Sequence, residues 1–312
     1  IHAKRVLSIS NTVTGVLRSS SLSVSAIGRG LAIANGMMDK HTIKQVDRLS
    51  SNQKFDVDAY SVYWVPMIIG AQTEIFCNLD WTEFDKDKHS TLILSLQTNH
   101  GRSIPLLWKT YWKSELKNKR NDYEDEMLAI LHDILVQDKS ICEELKVTIV
   151  ADRGFGDTLF FWYIKEKLGF DYIIRIRGNT WVSSSKGIKK KSSDWTGKDG
   201  RMKILKSPKL TLDEIEVPGF LAVRDKNMKE NWCLVFSDTS KSGSTIKKRY
   251  GKRFSCEETH RDFKSLRFGM GMKWTSIKRP DRRDRVLFVA TIAHTLISLL
   301  GAAGERCGLD RI

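Results

Sequence analysis

Apolar positions along the chain change period several times, and each change marks a different element. Residues 1–55 alternate short apolar and Ser/Gly-rich pieces, and Ser21–Arg29 reads as a helix start. In Lys40–Leu49 the apolar Ile43, Val46 and Leu49 recur at helical spacing with basic residues between them. That pattern predicts a basic amphipathic helix, suited equally to lying on DNA or to packing on the next domain. From residue 63 the reading turns to strands. Tyr63–Ile69, Glu74–Asp80, His89–Gln97 and Ser103–Tyr111 form a plausible antiparallel set with short turns.

The middle of the chain reads as alternating helix and strand. Asn121–Gln137 carries apolar residues at i, i+3, i+4 and i+7 with acidic residues in its first turn, which predicts a helix. Val147–Ala151 is a β-branched run typical of a strand buried on both faces. Thr158–Leu168 predicts a helix closed by Gly169, and Tyr172–Arg177 the next strand. Strand, helix, strand implies an α/β core. Residues 178–240 break the alternation, with strand-like pieces at Lys209–Glu216, Phe220–Arg224 and Trp232–Ser237, and read as a β-rich basic insertion. Helices return from Tyr250 to about Leu266 and from Arg282 to Leu300. The apolar run Val286–Leu300, interrupted by His294, is short for a bilayer span of about 20 residues and reads as a buried helix. No membrane partner is expected.

Composition narrows the class. With 41% hydrophobic residues the 312-residue chain is globular, and 5 Pro and 21 Gly exclude collagen-like or low-complexity classes. The five Cys are scattered without a C-x-x-C pair, against a disulfide scaffold or zinc site and for a reducing, cytoplasmic setting. Ile1 in place of Met points to a start upstream. A net charge of +15 suits a polyanionic partner, most often nucleic acid, or else an inert basic surface. The excess is local: residues 178–209 hold nine basic against two acidic residues, and residues 241–285 hold fifteen against five.

Three carboxylates stand out. Asp80 closes an apolar strand, and Asp152 follows Val147–Ala151 directly. A carboxylate at a buried strand end is costly unless paired or metal-bound, and strand ends of α/β sheets are where sites are built. Either Asp alone also reads as a turn or cap residue. The third, Glu257, falls in a helix pattern with Tyr250, Arg253 and Lys264. At about 100° per residue the four share one face within about 60°, and Glu258 projects about 100° away from Glu257. A phenol, a guanidinium, a carboxylate and an ammonium on one stripe suit a metal-binding carboxylate flanked by phosphate contacts, or a surface helix with an Arg253–Glu257 ion pair.

Tyr250-x2-Arg253-x3-Glu257-x6-Lys264 resembles the signature helix of the DDE transposases of bacterial insertion sequences. Leu79-Asp80-Trp81-Thr82 is similar to that family's first Asp motif, and Ala151-Asp152-Arg153-Gly154-Phe155 to its second. The order Asp, Asp, long β insertion, Glu is also the family's, and the resemblance covers roughly residues 20–300. It implies an α/β, ribonuclease H-like mixed sheet flanked by helices, with a β-rich insertion before the last catalytic helix. The implied organisation is a helical DNA-binding region at 1–60, a catalytic core at 61–177 and 241–312, and the insertion at 178–240.

The resemblance further implies two Mg²⁺ or Mn²⁺ ions held by the catalytic residues Asp80, Asp152 and Glu257, in keeping with the preference of hard cations for carboxylate oxygens. It implies DNA, both transposon ends and target, as partner, bound by a homodimer in the cytoplasm near the nucleoid. Tyr250, Arg253 and Lys264 take the family's phosphate contacts. Arg175 and Arg177 alternate with Ile174 and Ile176, so on one strand they would share a face, both reaching DNA or neither. Trp232 sits where some hairpin-forming relatives stack a flipped base, or else it packs in the core, and some of those relatives carry Trp directly after the signature Arg where this chain has Phe254. The runs Lys189–Lys191 and Lys247–Arg249 suit the DNA backbone. Rival readings are an inactive DNA-binding fragment or regulator of the same family, and a nuclease of the same fold without strand transfer.

Overall fold

A computed structural model of the protein describes residues 3–197, 200–226 and 228–309. Ile1, and Lys198 and Asp199 of the first basic stretch, lie outside the described residues. The chain opens with helices α1 (Ala3–Ser19), α2 (Val24–Asn35), α3 (Asp39–Ser51) and α4 (Asp58–Ile69). Strands β1 (Glu74–Phe84), β2 (His89–Gln97) and β3 (Ser103–Trp112) follow, then helix α5 (Arg120–Gln137), β4 (Lys146–Ala151), α6 (Thr158–Trp162) and β5 (Asp171–Arg175). Seven short strands come next: β6 (Trp181–Ser183), β7 (Lys189–Lys191), β8 (Lys203–Lys206), β9 (Lys209–Leu210), β10 (Ile215–Glu216), β11 (Gly219–Val223) and β12 (Trp232–Phe236). Helices α7 (Gly243–Gly251), α8 (Phe254–Lys264) and α9 (Pro280–Arg306) close the chain.

Eight strands form one mixed sheet in the order β3-β2-β1-β4-β5-β12-β11-β8, and β10-β9-β6-β7 form a second, antiparallel one. The chain divides into two compact units. The first holds residues 1–68, 81–119 and 255–312; the second holds 69–80 and 120–254.

In the first unit α1, α2 and α3 pack on one another and on α9 around Val13, Val16, Ile27, Val46, Leu49 and Phe288. Close approach there depends on small residues. A Cβ on Gly15 would meet the Ile27 carbonyl oxygen at 2.4 Å, and one on Gly28 would meet Ile43 backbone at 2.6 Å. Helix α9 begins with Pro280 at its first position, where a missing N–H costs nothing. It is buried nearly all round from Arg283 to Thr295. The helix is longer than the apolar run foretold, enough in length and composition to cross a membrane, and its second half exposes Leu296, Ile297, Leu299 and Leu300.

One sequence expectation fails in or near this unit. Tyr63–Ile69 is helical, as part of α4, not a strand. Its buried residues are Ser61, Trp64, Val65, Pro66 and Ile69, a helical period, while Val62, Tyr63 and Met67 are exposed. An almost wholly apolar run hides its period, and only burial reveals it. In helix α1 the Ser and Thr side chains turn back to carbonyls four residues earlier and break no ladder.

The second unit carries the parallel part of the sheet. β1 pairs with β4 and β4 with β5, both parallel, while β5–β12–β11–β8 is antiparallel. One face is covered by α7 through Phe76, Val150, Ile173, Leu234, Ile246 and Tyr250. Residues 178–240 therefore divide: β8, β11 and β12 join the main sheet, and β6, β7, β9 and β10 make the small one. Lys209–Glu216 is two short antiparallel strands, not one, because Thr211 and Glu214 adopt positive φ. β7 is the run Lys189–Lys191 itself, exposed at the edge of the small sheet. Charged Lys on an edge strand also discourages further pairing.

Candidate active site

Strand register decides which side chains meet. In the parallel β1–β4 pair Leu79 lies opposite Ala151, and in the parallel β4–β5 pair Ala151 lies opposite Ile174. The next residues along the chain are Asp80, Asp152 and Arg175, which places them at one level just past the last paired residues. Asp80 is not the end of its strand, as the sequence suggested: β1 continues to Phe84, and it is the pairing with β4 that ends at Leu79. Asp152 leaves β4 in extended backbone and turns the chain. Its carboxylate accepts the Gly154 N–H at 2.7 Å, which orients it at the mouth of that turn.

Arg253 faces this row. Its guanidinium lies 3.8 Å from the Asp80 carboxylate. It is 6% exposed, and its planar group lies 6.0 Å from the Tyr250 ring centroid and 5.1 Å from that of Phe254. Tyr250 is buried at 1% exposure, with Trp232 edge-on to it at 4.9 Å. Burial pushes the Tyr250 phenol up, and Asp152 adds to this, while Arg253 and Arg175 pull against it. Trp232 also stacks on Phe254, ring centroids 6.0 Å apart, and Phe254 is itself 43% exposed. The face this cluster offers solvent is aromatic, and the charge lies beneath it.

Arg175 closes β5; its guanidinium donates to Glu230 at 2.7 Å and to the Asn231 carbonyl at 3.2 Å. Arg177 lies beyond the strand end and is exposed, so the shared-face argument does not apply to the pair. Trp232 is the first residue of β12 and is half-buried.

The signature does not run along one helix. α7 ends at Gly251, the Arg253 N–H bonds the Tyr250 carbonyl three residues back, and α8 starts at Phe254. This tight turn breaks the i−4 ladder, so counting 100° per residue from Tyr250 to Glu257 fails at the break. Within α8 the count holds, and Glu257 and Lys264 lie about 20° apart on one face.

In the first unit the far side of α8 is pinned. Thr259, about 200° round from Glu257, accepts from the Ser103 N–H and donates to its carbonyl, both at 3.0 Å. Asp262 accepts from Arg102 at 2.6 Å and lies 3.2 Å from His294. On the Glu257 side, Lys264 donates to Thr82 at 3.0 Å. With its opposite face fixed, the helix presents Glu257 on its exposed side. No sequence signal pointed to Thr259, Asp262 or Glu230, whose cross-element partners are 32 to 160 residues away.

Among the described residues no three or more His, Cys, Asp or Glu side chains gather closely enough to hold a metal ion. The Asp80 and Asp152 carboxylates are hard oxygen donors of the kind divalent Mg²⁺ or Mn²⁺ prefers. A family model for the transposase DDE domain matches residues 117–296, which takes in Asp152, Tyr250, Arg253, Glu257 and Lys264 but not Asp80. No curated protein matches the chain.

Proposed function

The chain belongs to the transposase DDE domain family, and on that premise we propose that it cleaves DNA strands at the ends of an insertion sequence and joins them to target DNA. The observation that carries this reading is the register of two parallel strand pairs, Leu79 opposite Ala151 and Ala151 opposite Ile174, which supports a common level for the next residues Asp80, Asp152 and Arg175. Two carboxylates and a guanidinium at one level serve phosphoryl transfer, in which positioning and charge stabilisation do most of the work.

In this reading Asp80 and Asp152 hold two divalent cations, and Glu257 is assigned the third ligand place on the signature motif alone. Bound there, the ions would activate a water or 3′-hydroxyl and stabilise the leaving oxygen of an in-line displacement. Arg253, buried beside Asp80, orients that carboxylate and meets the charge of the scissile phosphate. Arg175 contributes a second guanidinium at the same level, while Lys264 and Arg177 hold the strand further out. Tyr250 positions Arg253 and Trp232 from beneath, and Trp232 with Phe254 offers a face on which an extruded base stacks. In this reading two copies of the chain hold the two DNA ends together.

The test is a purified chain incubated with DNA carrying an insertion-sequence end and a target plasmid. Cleavage and joined product are expected in Mg²⁺ or Mn²⁺, with both lost in EDTA and restored by added metal. Cleavage without joining makes the protein a nuclease, and binding without cleavage makes it a DNA-binding relative. Either result overturns the transposase reading.

A further inference from the structure

Beside the carboxylate row, the second unit holds a cleft of about 370 Å³ lined by Arg153, Arg175, Gly178, Ser193, Glu230 and Asn231. Its floor is fixed. The Asn231 side-chain amide donates to the Ser193 carbonyl at 2.8 Å and to the Thr196 hydroxyl at 2.9 Å, and Arg175 donates to the Asn231 carbonyl. Above it two guanidiniums converge on one oxygen: Glu230 Oε2 accepts from Arg175 Nη2 at 2.7 Å and from Arg153 Nη1 at 3.2 Å. Arg153 directly follows Asp152, and Arg175 stands level with it.

Two arginines forked on a single anionic oxygen are the arrangement that also receives a phosphate oxygen. The anion they hold belongs to an exposed loop. Glu230 and Arg153 are 58% and 56% exposed, and such solvated ion pairs are weak. Arg175, at 18%, is the buried anchor of the pair.

We infer that Arg153 and Arg175 form the seat for one phosphodiester of the strand being cut, and that Glu230 competes with that phosphate for the same two guanidiniums. Glu230 thereby sets how strongly DNA is drawn to the carboxylate row: an arriving phosphate displaces the carboxylate, while Asn231 stays held by Ser193 and Thr196. The inference rests on the DNA-cutting reading and adds to it a competitor that the signature motifs do not contain.

Binding of a fluorescein-labelled DNA duplex to the full chain, followed by anisotropy across a salt series, tests it. Glu230→Gln is expected to tighten binding about two- to fivefold, the range exposed ion pairs support. Arg153→Ala, at a half-exposed position, is expected to weaken binding and to lower the slope of log affinity against log salt by about 1. In the Arg153→Ala/Arg175→Ala background the gain from Glu230→Gln should vanish, because the seat itself is gone. A Glu230→Gln chain that binds no tighter than the parent, or keeps its gain without the arginines, overturns the inference while leaving the DNA-cutting reading intact. A parent chain that binds no DNA overturns that reading and the inference with it.

Discussion

Arg283 and Asp284 are neighbours on α9, both buried, and their fates differ. The Arg283 guanidinium is fully enclosed, donating to Asp87 at 2.5 Å and to His89 at 3.1 Å, with the Phe84 ring 3.8 Å from its centre. A buried charge so paired is tolerated. Asp284 lacks an equivalent partner: burial pushes its carboxyl up to about 7, although Thr110 and the Lys109 charge pull it down and Asp58 adds to the rise. Because the folded value lies above the unfolded one, Asp284 supports stability at low pH and that support is lost as pH rises from about 4 through about 7. Asp284→Asn, neutral throughout, is expected to melt increasingly above the parent between pH 5 and 8, by on the order of 2 kcal/mol at the top of the range. A melting difference that stays flat over that range would show that Asp284 is not held neutral by burial.

At the level of elements, the three-helix packing at the start of the chain rests on glycines. Gly28 faces the Ile43 backbone at 2.6 to 2.7 Å from where a Cβ would sit, and neither backbone can yield cheaply. Gly28→Val should force α2 and α3 apart and cost about 3 kcal/mol, read as a fall in melting temperature, whereas Gly301→Ala, with open space around it, should be neutral or slightly stabilising. Equal effects at the two positions would contradict the packing described.

Elements whose period is unambiguous were legible in the sequence: β2, β3, α5 and β4 fall within a residue or so of where alternation, amphipathic spacing and β-branching put them. The apolar α4 was not, because a run without polar punctuation has no readable period. The break between α7 and α8 was also hidden. It is made by one backbone bond from Arg253 to Tyr250, which no side-chain pattern announces. In the site, the two Asp and the signature residues could be read as motifs. The level row of Asp80, Asp152 and Arg175 could not, since register is a property of pairing across strands and not of spacing along them.

Across the whole molecule, the +15 charge left open a polyanionic partner or an inert basic surface, with its excess in residues 178–209 and 241–285. Burial reduces that picture. Of the basic residues in 241–285, Arg253, Arg283 and Arg285 are buried, and Arg285 bonds the Phe55 and Ser50 carbonyls and Asp281. Lys247 is paired with Asp225. What remains exposed includes the Lys189–Lys191 edge strand and Arg177. Charge thus has two roles here, fixing buried elements and lining a surface, and only the second bears on a polyanion.

The account depends most on Asp80 and Asp152 acting together. The direct measurement is the first-strand cleavage rate in Mg²⁺ of the purified parent, Asp80→Ala, Asp152→Ala and the double variant, each first shown to melt within a few degrees of the parent. Each single change is expected to lower the rate by about 10³-fold or more, and the double change by no more than either alone, as for residues that work as one unit. Parent-like cleavage by either single variant would contradict the account.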